Sequence, residues 1–406
     1  MPARLVALRA TPERFVTELD RIWADGDAVL PIPANAPAAT VQRTLRALRP
    51  ARFRHLDDDG GFVDEPLGDA PDVAEGTALV VATSGSTGRP KGVVLPHEVL
   101  QASTRTSVER LGCRDGESWL LALPIHHVAG IQVVLRSRAL GTEPVLSAPG
   151  GNASDPGGAA HVSLVPTQLM RLLEARAPLS DFRNVLLGGA RPEASLLDAA
   201  RDAGVHVVVS YGMTETAGGC VYDGRPLTGA EVEVVAAGGT GAEGGTVAAD
   251  GDTGRIRIRG TLLGSGYRTR TGTVPLVDDD GWFLTGDLGR WRPDGTLEVF
   301  GRVDDVVVSG GVNVPAGAVA ASLRSHPQVR DVAVTGRPDA EWGEAVVAVL
   351  VPRDPQRPPT LDELREHVRR EYPATYAPRA VVVVEALPRD AMGKLPRTAV
   401  KLLAES

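Results

Sequence analysis

The chain is poor in cysteine and lysine, and it has no long apolar run. Its two cysteines, Cys113 and Cys220, lie far apart and show no C-x-x-C or Cys/His spacing. We therefore expect neither a zinc site nor a disulfide framework, and we expect a reducing cytoplasm as the location. No apolar run approaches the roughly 20 residues that cross a bilayer, and residues 1–16 lack the apolar segment of a signal peptide.

Basic charge is also limited. The formal net charge is −8 and no long basic block occurs, which argues against nucleic acid as the main partner. We expect no membrane partner either. With 406 residues, the chain is long enough for two or three domains, each with its own core.

Hydroxyls and glycines crowd one stretch, TSGSTGRPKG, at residues 83–92. It follows an apolar run, Ala78–Ala82, that predicts a buried strand, and beyond it Pro96–Leu111 predicts a helix. Glycines let backbone N–H groups approach a phosphate chain, hydroxyls donate hydrogen bonds, and Lys91 adds a positive charge. The stretch therefore predicts a phosphate-binding loop that leaves a strand.

Two other interpretations of this stretch are weaker. A Walker A loop needs a serine or threonine directly after its lysine, whereas Gly92 follows the lysine here and Pro90 stands five residues after Gly85. A mobile Ser/Gly linker would not usually come directly after a buried-strand signal and end in a fixed Pro-Lys-Gly exit.

Three hydropathy patterns divide the chain. From Thr77 to about Gly212, predicted strands and helices alternate, which indicates an α/β domain with a largely parallel sheet. Residues 231–297 show short alternating runs between Gly- and Asp-rich turns, which indicate an antiparallel or barrel-like β subdomain. A compact α+β unit begins near Val303. We predict a large domain of residues 1–302, with its β-rich subdomain at about 229–300, and a small mobile domain of residues 303–406.

The individual elements follow from periodicity and from helix-end signals. Predicted helices are Pro12–Ala24 (capped by Thr11), Thr40–Leu48, Val128–Leu140, Thr167–Ala175, Glu193–Ala203, Pro315–Ser325 and Leu361–Glu371. Predicted strands are Trp119–Leu123, Pro144–Ser147, Val162–Val165, Asn184–Leu187, Val205–Ser210, Val306–Val308, Val329–Val334, Ala345–Val351 and Ala380–Val384. Predicted surface loops are Asp57–Glu75 and Ala148–Ala160. The glycines at 239, 241 and 244 match a dinucleotide fingerprint, but they lie outside a β-α-β unit and are interpreted as a turn.

Further chemistry-bearing residues follow later strands. The stretch SYGMTET, residues 210–216, comes directly after an apolar strand, where open α/β sheets bind ligands. Tyr211 offers a ring face for a purine, Thr214 a hydroxyl for phosphate, and Glu215 a carboxylate for magnesium. Asp287 stands in GWFLTGD and can accept two ribose hydroxyls, and Lys394 is an isolated cation. A capped turn, a β-turn aspartate and a solvated lysine are the alternatives.

The loop at residues 83–92 resembles the signature loop of the adenylate-forming superfamily, which includes acyl- and aryl-CoA ligases, luciferases and peptide-synthetase adenylation domains. The Tyr-Gly-x-Thr-Glu, Gly-Trp-Phe-x-Thr-Gly-Asp, Gly-Arg-x-Asp and Gly-Lys-x-x-Arg patterns of that family follow in its order as far as Arg397. The resemblance implies the family fold, an α/β domain with a mobile C-terminal domain. It also implies ATP and CoA as co-substrates and Mg²⁺ as cofactor.

The resemblance assigns roles to single residues. Implied catalytic residues are Lys394, Thr214, Glu215 and His127, with Glu215 also the metal ligand and Asp304 the hinge. Implied ATP-binding residues are Thr83, Ser84, Gly85, Ser86, Thr87, Gly88, Lys91, Gly189, Ala190, Ser210, Tyr211, Gly212, Met213, Thr214, Asp287 and Arg302. Implied CoA-binding residues are Gly310 and Gly311, although the segment after Asn313 departs from the family pattern. Relatives are often dimers, so a homodimer is a further expectation.

The stretch LPIHHVAGIQVVLR, residues 123–136, bears on the acid substrate. Its paired histidines and the short region before the signature loop resemble the o-succinylbenzoate–CoA ligases of menaquinone synthesis. Implied acid-binding residues are His126, His127, Gln132 and Gly188, and Arg136 adds a cation for a dianionic acid. A helix that merely buries its apolar face is the alternative for Gln132 and Arg136.

Two other functions stay open at this point. The first is another aryl- or acyl-CoA ligase, or an adenylating enzyme that loads a carrier protein. The second is a non-catalytic ATP-binding regulator, which the presence of both Glu215 and Lys394 disfavours.

Overall fold

The computed structural model describes residues 3–68, 70–84, 90–147, 153–236, 252–270, 272–389 and 395–406. The helices in these ranges are α1 (Pro12–Ala24), α2 (Ala38–Leu48), α3 (His97–Arg110), α4 (Val128–Ala139), α5 (Pro166–Glu174), α6 (Ala194–Asp202), α7 (Ala316–Arg324), α8 (Leu361–Arg369) and α9 (Arg397–Glu405).

The strands of the first part of the chain are β1 (Leu5–Arg9), β2 (Ala28–Ile32), β3 (Arg52–Leu56), β4 (Phe62–Pro66), β5 (Thr77–Ser84), β6 (Pro90–Pro96), β7 (Trp119–Leu121), β8 (Val145–Leu146), β9 (His161–Leu164), β10 (Asn184–Leu187), β11 (Val207–Met213), β12 (Gly218–Tyr222) and β13 (Arg225–Pro226). Those of the later part are β14 (Ala230–Ala236), β15 (Gly254–Gly260), β16 (Gly266–Arg268), β17 (Thr273–Pro275), β18 (Phe283–Trp291), β19 (Leu297–Arg302), β20 (Val306–Ser309), β21 (Val312–Pro315), β22 (Val329–Asp339), β23 (Gly343–Pro352) and β24 (Ala380–Val383).

Two large sheets form the first part of the molecule. One has the order β17-β16-β6-β5-β2-β1-β3-β4, in which β5, β2, β1 and β3 are parallel. The other has the order β13-β12-β11-β10-β9-β7-β8, in which β11 to β8 are parallel and β12 and β13 are antiparallel. The largely parallel α/β arrangement expected for this part is confirmed.

Helices α3 and α4 pack on each other, and their buried side chains join those of both large sheets in one core. Helix α4 is buried on nearly every side, because Gln132, Arg136 and Ser137 are as inaccessible as its apolar residues. Its first turn approaches the preceding segment closely, and a side chain at Gly130 would overlap the carbonyl group of Pro124. This packing fixes α4 between the sheets.

Two smaller sheets follow. Strands β14-β15-β18-β19 form an antiparallel sheet, as expected for the β-rich subdomain, and its described strands leave β14 and β19 as edges. Strands β21-β20-β23-β22, with β24 beside β23, form the sheet of the C-terminal unit, which α7, α8 and α9 cover. The predicted boundary between residues 302 and 303 stays a prediction.

Several local predictions were wrong. A strand that was not predicted, β6, follows the signature loop and returns antiparallel to β5, and the predicted helix Pro96–Leu111 is confirmed as α3. Strand β4 lies within the predicted loop Asp57–Glu75. Ala153 and Ala159 are buried, although Ala148–Ala160 was predicted to be exposed. Strands β16 and β17 leave the β-rich region and extend the first large sheet.

The glycine pattern at residues 239–244 lies outside the described residues. Among the helices that the structure describes, none combines the length and the apolar character of a bilayer-spanning segment.

Candidate active site

A cavity of about 910 Å³ opens between the two large sheets and the start of α9. This volume falls within the range of small-molecule sites. The parallel strands β9, β10 and β11 all end at this cavity, as expected for ligand sites in open α/β sheets. The predicted site residues that line it are Thr83, Lys91, His127, Gly188, Gly189, Ser210, Gly212, Met213, Thr214, Glu215 and Arg302.

The wall next to β11 is built from closely packed backbone. Gly212 of β11 pairs with Gly219 of β12, and a side chain on Gly212 would overlap the carbonyl oxygen of Gly218. A Cβ atom on Gly219 would meet both the Oγ of Ser210 and, at 2.6 Å, the ring of Tyr222. Only glycine fits at these two positions, and this wall of the cavity is therefore backbone.

The segment that carries Thr214 and Glu215 is a single 3-10 turn, Thr214–Thr216, held by buried side chains. The Oγ1 of Thr216 donates to the carbonyl group of Gly218 at 2.6 Å and accepts from the backbone N–H of Met213 at 2.9 Å. The next residue, Ala217, is left-handed with φ of 52°. Its carbonyl oxygen accepts from the Nε2 of Gln132 at 2.9 Å. These contacts fix the position from which Glu215 faces the cavity.

The carboxylate of Glu215 has a partner that sequence reasoning missed. The Oη of Tyr267, on β16, donates to the Oε1 of Glu215 at 2.8 Å. The Nζ of Lys91 lies 5.4 Å from the centroid of the same ring. Burial and the neighbouring carboxylate raise the pKa of Tyr267, so its phenol stays protonated and able to donate. Tyr267 thus links the lysine of the loop to the predicted metal ligand.

Asp287 lies on β18 and not in the β-turn that was its alternative. Its Oδ2 accepts from the Oη of Tyr211 at 2.8 Å, and its Oδ1 lies 3.8 Å from the Nη1 of Arg302. Burial raises the pKa of Asp287, and the hydrogen bond and the arginine oppose that shift. The three residues form one polar cluster beside the cavity.

The inner end of the cavity holds a buried cation, Arg136 of α4. Its side chain lies over the ring of Trp119, with 4.9 Å from Cζ to the centroid, and donates to Ser163 at 3.3 Å and to Tyr222 at 3.4 Å. The residue is 3% exposed, and no carboxylate of the described residues lies within ion-pair distance. Its Nε is buried with no hydrogen-bond partner in the described part of the chain.

His127 and His126 precede α4. His127 is the N-cap residue of α4 and lines the cavity. At a helical rise of about 1.5 Å per residue, it lies about 13 Å from Arg136 along the axis of α4. The two imidazole rings lie 4.3 Å apart between centroids. Burial, with a contribution from His127, lowers the pKa of His126 to about 4, so His126 is neutral near pH 7.

The model of the AMP-binding enzyme family matches residues 12–268, and that of the AMP-binding enzyme C-terminal domain matches residues 318–394. The chain belongs to the AMP-binding enzyme family. The resemblance stated from the sequence is therefore confirmed.

Two relatives and one structure illustrate the similarity. The probable 2-succinylbenzoate–CoA ligase of Mycobacterium tuberculosis is 42% identical over 342 residues, which cover 80% of this chain and 84% of that one. The 2-succinylbenzoate–CoA ligase of Geobacillus kaustophilus is 33% identical over 368 residues, with coverages of 84% and 72%. The o-succinylbenzoate CoA synthetase of Bacillus subtilis, solved with its acyl-adenylate intermediate, has a TM-score of 0.80 at 26% identity and coverages of 98% and 88%. The predicted adenylate-forming fold is confirmed.

Some predicted residues of this AMP-binding enzyme lie away from the cavity lining. These are Ala190, Tyr211, Asp287, His126, Gln132, Gly310 and Gly311. Gly310 and Gly311 form the turn between β20 and β21, both with positive φ, and Trp342 packs so closely on Gly310 that a Cβ atom there would lie 2.8 Å from its ring. Gly85, Ser86, Thr87, Gly88 and Lys394 lie outside the described residues, as do the side chains of Ser84 and Asp304.

The structure contradicts a direct contact between Gln132 and the acid. Gln132 is fully buried; its Oε1 accepts from Thr104 and its Nε2 donates to Ala217, both at 2.9 Å. Its amide serves to hold the Thr214–Thr216 turn. The predicted strand that ends at Ser210 continues to Met213 in the structure, so residues 211–213 belong to β11.

Two cations of α9 also line the cavity and were missed as site residues. The chain has three lysines, and one of them, Lys401, faces the same cavity as Lys91. Arg397 lines it as well, and its Nε lies 2.6 Å from the Oδ1 of Asp305. The signal that could have found them is the helical spacing of four residues between Arg397 and Lys401, directly after the predicted Lys394.

Proposed function

We propose that this AMP-binding enzyme is an acid–CoA ligase that converts o-succinylbenzoate, ATP and CoA to o-succinylbenzoyl-CoA, AMP and pyrophosphate in menaquinone biosynthesis. The relatives at 42% and 33% identity carry the name of that ligase. The single observation that carries the substrate is Arg136, a buried cation at the cavity without a carboxylate partner among the described residues. o-Succinylbenzoate has two carboxylates, so one can pair with Arg136 while the other is activated.

The nucleotide side of the cavity supports the first half-reaction. Thr83, Lys91 and Thr214 would hold the phosphate chain, since a hydroxyl and a cation beside backbone glycines suit an anion. Asp287 would accept the ribose hydroxyls, because its carboxylate is held in place by Tyr211 and Arg302. In this proposal, a carboxylate oxygen of the acid attacks the α-phosphorus and pyrophosphate leaves.

Glu215 is the residue that fits Mg²⁺. One oxygen of its carboxylate accepts from Tyr267, which leaves the other for a cation. Among the residues that the structure describes, no group of three or more metal-ligating side chains gathers. Proteins bind Mg²⁺ through one or two carboxylates together with phosphate oxygens and water, so Glu215 can serve as a single protein ligand beside ATP. The ion, when bound, would neutralise charge on the leaving pyrophosphate.

The thioester half-reaction is assigned by resemblance. Lys394 would stabilise the charge that develops during adenylation, and a rotation about Asp304 would then replace it with the face that carries Gly310 and Gly311, where CoA would enter. The cytoplasmic location and a homodimer belong to the same proposal.

The test is AMP formation from ATP and Mg²⁺ with a panel of acids, each with and without CoA. The panel contains o-succinylbenzoate, 4-oxo-4-phenylbutanoate (the same acid without its ring carboxylate), benzoate, octanoate and acetate. We expect steady turnover only with CoA, and a kcat/KM for o-succinylbenzoate about 100-fold above that of 4-oxo-4-phenylbutanoate.

Each other outcome has a defined meaning. If another acid is turned over and o-succinylbenzoate is not, the proposed substrate is refuted and the ligase class is retained. Adenylation that CoA does not complete would indicate a carrier-loading enzyme. Absence of acid-dependent pyrophosphate exchange, with ATP still bound, would refute catalysis and favour a regulatory ATP-binding protein.

A further inference from the structure

Two of the three side chains that contact the guanidinium of Arg136 lie behind it, away from the cavity, and the third, Ser163, lines the cavity. Trp119 and Tyr222, which contact its guanidinium, are both fully buried, and neither lines the cavity that Arg136 lines. An arginine side chain has four rotatable bonds, and fixing it at a binding site is costly in conformational entropy. The residues that hold the guanidinium therefore bear on how strongly Arg136 can bind an anion.

Trp119 presents its ring to the guanidinium and packs against His161, which a polar network holds in place. Its ring centroid lies 4.9 Å from that of His161. The Nε2 of His161 lies 3.0 Å from a carboxylate oxygen of Glu117, and its Nδ1 lies 3.1 Å from the Nδ2 of Asn184. The backbone N–H of Trp119 donates to the Oγ of Ser137 at 3.1 Å. The indole thus has little freedom to move away from Arg136.

Tyr222 holds the other side of the guanidinium. Its Oη accepts from the Nη2 of Arg136 at 3.4 Å and lies 2.7 Å from the Oγ of Ser107, so the phenol has a second partner in the core. Ser163 accepts from Nη1 at 3.3 Å. Each terminal nitrogen of Arg136 uses one N–H in these contacts and keeps one, and two such N–H groups can bind a carboxylate in a bidentate manner.

We propose that Trp119 and Tyr222 are positioning residues that hold the guanidinium of Arg136 for the second carboxylate of a dianionic acid, and so set the preference for dianionic over monoanionic acids. This positioning role rests on the proposed function, since it assumes that this cavity binds the acid. The ring face attracts the cation without offering an anion that would compete with the substrate. A carboxylate in place of Trp119 or Tyr222 would neutralise Arg136 and remove that preference.

The test measures kcat/KM for o-succinylbenzoate and for 4-oxo-4-phenylbutanoate in each variant, and the readout is their ratio. For Trp119→Leu, which removes the ring face, we expect the ratio to fall about ten-fold, because a desolvated cation–π contact is lost. Trp119→Phe keeps an aromatic ring, so the ratio should fall less in this variant than in Trp119→Leu. Tyr222→Phe, which removes one oxygen, should lower the ratio about three-fold. KM for ATP should stay unchanged in all three.

Two controls separate positioning from general damage. In an Arg136→Met background, Trp119→Leu should change the ratio no further, because the group that Trp119 positions is absent. Trp282→Leu is the matched control, since Trp282 is another buried indole, with Arg257 and Arg259 at 4.4 and 4.5 Å from its centroid, and does not contact Arg136. It should lower stability and leave the ratio intact.

The outcomes distinguish this proposal from the proposed function. A wild-type enzyme that does not prefer the dianionic acid refutes both. A wild-type enzyme that prefers it, with an unchanged ratio in Trp119→Leu and Tyr222→Phe, refutes only the positioning role. If Trp119→Leu does not fold, as seen by thermal unfolding, the ratio in Tyr222→Phe decides alone.

Discussion

Replacement of Arg136 by methionine should separate activity from stability. Arg136→Met removes the cation and keeps a long flexible chain that can fill much of the same space. If the guanidinium serves the substrate and not the fold, the variant should lose selectivity for the dianionic acid while the ligand-free protein keeps its stability.

The magnitudes follow from the contacts of Arg136. Burial of an ion costs several kcal/mol. The ring of Trp119 returns about 2 kcal/mol, and the two long hydrogen bonds to Ser163 and Tyr222 return about 0.5–1 kcal/mol each. These terms leave Arg136 close to neutral or unfavourable in the free protein. With substrate bound, loss of one partner of a buried charge pair costs about 2–5 kcal/mol, or about 30-fold to several thousand-fold in affinity.

The assay combines thermal unfolding with acid-dependent AMP formation. We expect Tm in the absence of ligand to stay within about 3 °C of the wild type or to rise, while kcat/KM for o-succinylbenzoate falls by about 100-fold and that for 4-oxo-4-phenylbutanoate changes little. A Tm lowered by 10 °C or more, with equal losses for both acids, would show that the guanidinium supports the fold, and the reasoning would fail.

Three further predictions concern other parts of the site. Burial lowers the pKa of His126 to about 4, so below pH 6.5 the unfolded chain binds more protons than the folded chain, and stability should fall as the pH drops from 6.5 towards 4. Urea unfolding of the wild type and of His126→Phe at several pH values gives the free energy of unfolding against pH, and the slope for His126→Phe should be smaller by up to about 1.4 kcal/mol per pH unit. Equal slopes would contradict the lowered pKa. Tyr267→Phe removes the hydrogen bond that orients the carboxylate of Glu215, and the Mg²⁺ concentration for half-maximal activity should therefore rise about ten-fold. KM for the acid is the control value and should not change. Asp287→Asn should raise KM for ATP about 10- to 100-fold through weaker hydrogen bonds to ribose, and an unchanged value would remove Asp287 from the nucleotide site.

The sequence predicted the positions of the signature loop and of the Thr214–Glu215 motif well, because each follows a strand whose apolar run is unambiguous. Thr83, Thr214 and Glu215 line one cavity although they come from different sheets. Strand β6 was missed because prolines at both ends and a Lys-Gly pair resemble a loop, whereas prolines at strand ends are tolerated.

Partners that come from distant strands could not be predicted. Tyr267 reaches Glu215 because β16 pairs with β6, and no local periodicity specifies that pairing. Gln132 was assigned to the acid because the sequence of α4 does not show which polar residues face a cavity and which are buried. Trp119 and Tyr222 look like ordinary core aromatics in the sequence, and only their contacts with Arg136 distinguish them.

The two kinds of wall in the cavity have a consequence for how acid specificity can change. Beside β11, the wall is backbone, and Gly212 and Gly219 admit no side chain. Along α4, the wall consists of side chains such as Arg136 that can be exchanged one at a time. Libraries that vary the α4 wall can therefore search for new acids while nucleotide binding is retained, whereas substitutions at the two glycines should yield mainly inactive protein. Relatives that use different acids are expected to differ along α4 and to share the glycine wall.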